Sequence, residues 1–123
     1  MSQIVLQGFK AVSGVTADQT DTSAAFFAKG INQLWVQCTV ASATSPVGTL
    51  TIYGASSDIA GNDAPYVALV ASQVLGTSAI AANGTVSLIV PNVCFDKYKV
   101  EYTRTSGTGG TVTIWVSGKS MGA

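Results

Sequence analysis

The chain has 123 residues, enough for one domain with its own core, and six basic against six acidic side chains give a net charge of zero. The basic residues are scattered, which excludes the positive patch that nucleic-acid binding requires, and no apolar run reaches the roughly 18–20 residues of a membrane helix. Charged residues make up only 10 % of the chain, against about 25 % in ordinary soluble domains.

The missing charge is replaced mainly by Ser, Thr, Ala and Gly, and the mean hydropathy is +0.40. Such a surface offers little repulsion between copies and little desolvation cost when covered. Depletion of charge is the mark of protein–protein interface cores, so the composition points to a subunit of a larger assembly, with a small, neutral extracellular domain of hydroxyl-rich surface as the alternative.

In chain order, Met1-Ser2-Gln3-Ile4-Val5 lacks the basic start, apolar stretch and cleavage site of a secretory signal, so release into a cytoplasm is expected. Residues 13–22 read as a long connection. Phe26 and Phe27 are adjacent, and in a strand one faces each side. Lys29-Gly30-Ile31-Asn32 reads as a turn before the first clear strand, in which Leu34, Val36, Cys38 and Val40 alternate with Trp35, Gln37 and Thr39. In the next strand Leu50 and Ile52 share one face, with Thr49, Thr51 and Tyr53 on the other.

A second long connection, residues 55–65, follows. Asn83-Gly84 then signals a two-residue hairpin turn, because both residue types tolerate positive φ, and it leads into Val86-Ser87-Leu88-Ile89-Val90. Tyr98, Val100, Tyr102 and Arg104 share a face, with Lys97, Lys99, Glu101 and Thr103 opposite. Lys99 and Glu101 are expected as a solvated pair worth less than about 1 kcal/mol. Ser106-Gly107-Thr108-Gly109-Gly110 is expected to close a hairpin onto a final strand in which Val112, Ile114 and Val116 alternate with Thr113, Trp115 and Ser117. No segment supports an amphipathic helix of ordinary length. The sum is an all-β fold over residues 1–123, an antiparallel β-sandwich or jelly-roll-like barrel of about eight short strands.

The residues that carry chemistry are sparse. Without histidine there is no Ser-His-Asp or Cys-His system and no His-containing metal site. Asp18, Asp21, Asp58, Asp63, Asp96 and Glu101 fall in no motif for paired-carboxylate catalysis. Asp58-Ile59-Ala60-Gly61-Asn62-Asp63 lacks the spacing of a calcium loop and reads as a turn. Asn83-Gly84-Thr85 matches a glycosylation acceptor in form, but a hairpin turn accounts for it. Cys38 shares a face with Leu34, Val36 and Val40 and reads as a buried free thiol; whether Cys94 lies near it is open. No catalytic residue, cofactor or metal is expected.

The aromatic residues are more informative. Trp35, Tyr53 and Trp115 all fall on the polar phase of their strands and are expected to point outward. Exposed rings rimmed by hydroxyl-bearing residues suit a protein interface, where Trp and Tyr serve as anchors. They equally suit a stacking platform for sugar rings, with Gln37, Asp58 and Asn62 as candidate polar neighbours.

Two stretches carry a resemblance: Gly48-Thr49-Leu50-Thr51-Ile52-Tyr53-Gly54-Ala55-Ser56-Ser57-Asp58, and the run from Tyr98 to Lys119 that includes Thr108-Gly109-Gly110-Thr111 and Ile114-Trp115-Val116. With the small, charge-poor, signal-less chain, they resemble small jelly-roll-like β-sandwich virion proteins of tailed bacteriophages, of the capsid decoration or cement type. The resemblance implies a non-enzymatic structural protein that is made in the host bacterial cytoplasm and resides on the virion. It further implies contacts with the major capsid protein or other virion proteins, and assembly as a dimer or trimer. A phage tail or attachment component, or another carbohydrate-binding module, is the alternative it leaves open.

Overall fold

The computed structural model describes residues 5–16, 20–28, 30–56 and 65–120. Among these, eleven strands form two layers. One layer contains β1 (Val5–Thr16), β4 (Gln33–Ala41), β7 (Leu75–Gly76), β9 (Gly84–Val90) and β11 (Thr111–Lys119), in the order β1-β11-β4-β9-β7. The other contains β2 (Asp21–Thr22), β3 (Phe26–Phe27), β5 (Thr44–Ala55), β6 (Val67–Ala68), β8 (Ala79–Ile80) and β10 (Lys97–Thr108). In it β2 and β3 both pair β10 on one side, and β6 and β8 both pair β5 on the other. All pairings are antiparallel. A single turn of 3₁₀ helix, Ala71–Gln73, interrupts the strands.

Counting each interrupted edge as one strand and setting aside the two-residue β7 on the outer side of β9, the layers read β1-β11-β4-β9 and (β2/β3)-β10-β5-(β6/β8). This is the eight-strand jelly-roll order, in which the chain passes to the other sheet at every step except from β5 to β6, which pair within one sheet. The edge opposite β10 splits at Ser23 for a local reason. Its N–H donates to the Val100 carbonyl at 2.8 Å, while its hydroxyl, not its carbonyl, accepts from the Val100 N–H at 3.0 Å. A side chain there replaces one rung of the ladder.

Period-two alternation produces the core. On β4 the even residues Leu34, Val36, Cys38 and Val40 are buried. They meet Val112, Ile114 and Val116 of β11, Leu88 and Val90 of β9, and across the layers Leu50, Ile52, Tyr98, Val100 and Tyr102. Tyr98 is fully buried, and its hydroxyl accepts from the backbone N–H groups of Cys94 and Phe95, both at 3.2 Å. Phe26 packs against the core while Phe27 is exposed, as their adjacency implied.

Two expected hairpins are instead corners. β10 and β11 are joined by the glycine-rich turn yet never pair: β10 lies between β2/β3 and β5, and β11 between β1 and β4. Likewise Asn83-Gly84 joins β8, which pairs β5, to β9, which pairs β4 and β7. At the first corner both ladder edges of both strands are already filled, and at the second β9 is filled on both sides by β4 and β7, so the chain crosses to the other sheet. Gly110 makes one crossing possible. It has φ +74°, and a Cβ there would stand 2.5 Å from the Ala43 nitrogen. Arg104 steadies the same corner, donating from Nε and Nη2 to the Gly107 carbonyl at 3.1 and 2.7 Å. The connection expected over residues 13–22 is also shorter, since β1 continues to Thr16.

Candidate binding surfaces

β4 and β11 pair without a break from Gln33↔Lys119 to Ala41↔Thr111. That register sets the outer face of the first sheet. Trp115 stands opposite Gln37, and Ser117 opposite Trp35. The two indoles therefore occupy one diagonal of a four-residue square and the polar pair the other, with diagonal neighbours about 7–8 Å apart. Trp35 is 50 % and Trp115 42 % exposed. Between them lies an open cleft of about 280 Å³, lined by Gly8, Trp35, Gln37, Trp115, Val116 and Ser117. Lys10, opposite Trp115 on β1, places its Nζ 4.9 Å from the indole centroid.

Tyr53 is not part of that group. It sits on β5 in the other layer, half-buried, so the three aromatic residues expected to share a surface are divided between opposite faces of the sandwich. The physical reason is that alternation determines which way a ring points from its own strand but not which sheet the strand joins.

On its own face Tyr53 donates from its hydroxyl to Glu101 Oε1 at 3.1 Å, and Thr103 donates to the same oxygen at 3.1 Å. Thr22 donates to Oε2 at 2.6 Å. The Thr22 hydroxyl, followed by those of Thr103 and Tyr53 and the charge of Lys99, holds the Glu101 carboxyl below its ordinary value, against a smaller opposing effect of burial. Burial, and then Glu101 itself, raises Tyr53. Glu101 is thus more than one half of a solvated pair with Lys99: its carboxylate is bound by three hydroxyls. The Lys99 ammonium lies 4.4 Å from the Tyr66 ring centroid and 5.6 Å from that of Tyr53.

A third surface went unread in the sequence. Val67, Val70, Leu75 and Ile89 are between 38 and 59 % exposed. The first three follow one another along the segment that carries the chain from β6 to β7, down one side of the sandwich. Leu75 pairs with Ile89, and Ile89 with Trp35, so this aliphatic flank runs onto the outer face of the first sheet. Beneath the segment is a cavity of about 240 Å³ whose lining includes Leu50, Ile52 and Leu88. Ile89 was detectable as the apolar residue on the wrong phase of its strand. Val67, Val70 and Leu75 lie in short, irregular elements where no period exists to judge them by.

Cys38 is buried, and burial pushes its thiol up to about 12; Cys94 is exposed, and both are free. Among the described residues no group of three His, Cys, Asp or Glu side chains could hold a metal, and no helix is long and apolar enough to cross a membrane. The loop Asp58–Asp63, with Asp58 and Asn62, lies outside the described residues.

No protein-family model matches the chain, and no curated protein matches its sequence. The fold does have solved counterparts. The crystal structure of the SPBc2 prophage-derived protein YomS superposes with a TM-score of 0.53 at 18 % identity, covering 98 % of this chain and 96 % of that one. At that identity the likeness establishes a shared architecture over the whole domain.

Proposed function

We propose that the protein is a non-enzymatic structural component of a phage particle, of the capsid-decoration type, that packs against copies of itself and against the shell. The observation that carries this reading is the exposed aliphatic flank of Val67, Val70, Leu75 and Ile89 on a domain with so few charges. Exposed apolar side chains on a charge-poor chain are characteristic of subunit contacts. The whole-length likeness to a prophage-derived protein of the same architecture supports a phage context.

In this reading the flank forms the contact between copies, giving a dimer or trimer, and the major capsid protein or another virion protein is the partner. Light scattering over a concentration series tests it, together with co-sedimentation on shells that lack the protein. A stable oligomer that Leu75→Asp converts to a folded monomer is the expected result. A monomer at every concentration that also fails to bind shells would overturn the proposal.

A further inference from the structure

We infer that the cleft between Trp35 and Trp115 binds a neutral sugar, one pyranose ring of an uncharged glycan at a time. This role goes beyond the particle contacts and uses the outer-face cleft, which adjoins the aliphatic flank at Ile89 but shares no lining residue with it.

The arrangement of the four-residue square is the first reason. A pyranose has an apolar C–H face and a rim of hydroxyls. The indoles of Trp35 and Trp115 offer two apolar walls on one diagonal. On the other diagonal Gln37 supplies an amide that both donates and accepts, and Ser117 a hydroxyl that does the same. Hydroxyls, which are donors and acceptors at once, need partners of that kind.

Charge selects the ligand. Every residue lining the cleft is neutral, so an acidic sugar finds no cation in the lining to balance its carboxylate. The Lys10 ammonium lies against the Trp115 ring and is not among the lining groups. A purely apolar protein segment is better served by the continuation through Ile89 and Leu75 than by a cleft whose second diagonal is polar. The volume of about 280 Å³ lies just below the roughly 300 Å³ at which sites for drug-sized ligands begin, in keeping with a single ring.

The scaffold is rigid where the ligand would sit. β4 and β11 are interior strands with an unbroken register, so both indoles and Gln37 stand on fixed backbone. Gly8 on the neighbouring β1 keeps the cleft open. A Cβ at that position would meet nothing closer than 3.9 Å, so a side chain can be added there without strain and would project beside Ser117.

The test uses the protein's own fluorescence, because its two tryptophans both line the cleft. The intact chain is titrated with neutral oligosaccharides of glucose, galactose and N-acetylglucosamine, and in parallel with oligouronates. The expected result is a saturable change in indole emission with at least one neutral glycan and none with the uronates. Trp35→Ala and Trp115→Ala should each weaken binding by about tenfold or more, the effect of losing one stacked wall worth about 1.4 kcal/mol. Gly8→Leu should abolish binding while leaving the thermal midpoint and the solution mass unchanged. The inference is overturned if no neutral glycan moves the emission at millimolar concentration, if uronates bind better, or if Gly8→Leu binds as the parent does. It is also overturned if Gly8→Leu dissolves an oligomer, since a protein would then occupy the cleft.

Discussion

Asn83 closes a two-way hydrogen bond with the backbone of Ala43: its Oδ1 accepts from the Ala43 N–H at 2.9 Å, and its Nδ2 donates to the Ala43 carbonyl at 2.9 Å. The side-chain amide thereby copies the pairing of a β-bridge between two corners that both pass from one sheet to the other. The residue that looked like half of a hairpin turn is a strut between the β8–β9 and β4–β5 crossings. Asn83→Ala should lower stability by about 1–2 kcal/mol, two exposed hydrogen bonds being lost. Asn83→Asp, which keeps the acceptor but sets a carboxylate oxygen against the Ala43 carbonyl, should cost at least as much. Urea unfolding midpoints at constant m-value check both.

Gly109 and Gly110 are a matched pair for testing the neighbouring corner. Both have positive φ, +66° and +74°, but a Cβ at Gly109 meets nothing within 4 Å whereas one at Gly110 would lie 2.5–2.6 Å from the backbone of Ala41 and Ala43. Gly109→Ala should cost only the left-handed backbone penalty, about 1–2 kcal/mol. Gly110→Ala should cost clearly more, because backbone must move. Equal losses in thermal midpoint for the two would contradict the close approach described at Gly110.

The cysteines should differ sharply. Cys94 is exposed and should react at once with a thiol reagent in the native protein, one equivalent per chain. Cys38 should react only after unfolding. Its thiol is raised by burial from an ordinary 9.0 to about 12, so the native state holds the proton that the unfolded chain releases. Its contribution to stability is therefore complete below pH 9.0 and is lost as pH rises from there towards 12. Cys38→Ala should flatten that alkaline limb, measured by denaturant midpoints across the range.

Glu101 has the opposite sign. Its carboxyl is lowered from 4.5, chiefly by the Thr22 hydroxyl, so its stabilising effect is present above that pH and disappears as pH falls through the depressed value. Glu101→Gln should reduce the acid dependence of the unfolding midpoint. Thr22→Val should weaken the depression, seen as a higher Glu101 pKa by carbon-detected NMR titration.

Much of this molecule is written in its alternation. The buried phase of Leu34–Val40, the inward Leu50 and Ile52, the outward Trp35 and Trp115 and the buried thiol of Cys38 all follow from a side chain pointing to opposite faces at successive positions, a local property of each strand. The scarcity of charge is likewise plain in the composition. Tertiary structure alone decided partners. It set Trp115 beside Gln37, sent Tyr53 to the opposite face to bind Glu101, turned two apparent hairpins into corners, and lined Val67, Val70 and Leu75 along one side. The reason is that a period of two specifies a face but no neighbour: pairing is chosen by contacts between residues far apart in sequence, after each strand's apolar side has been turned inward.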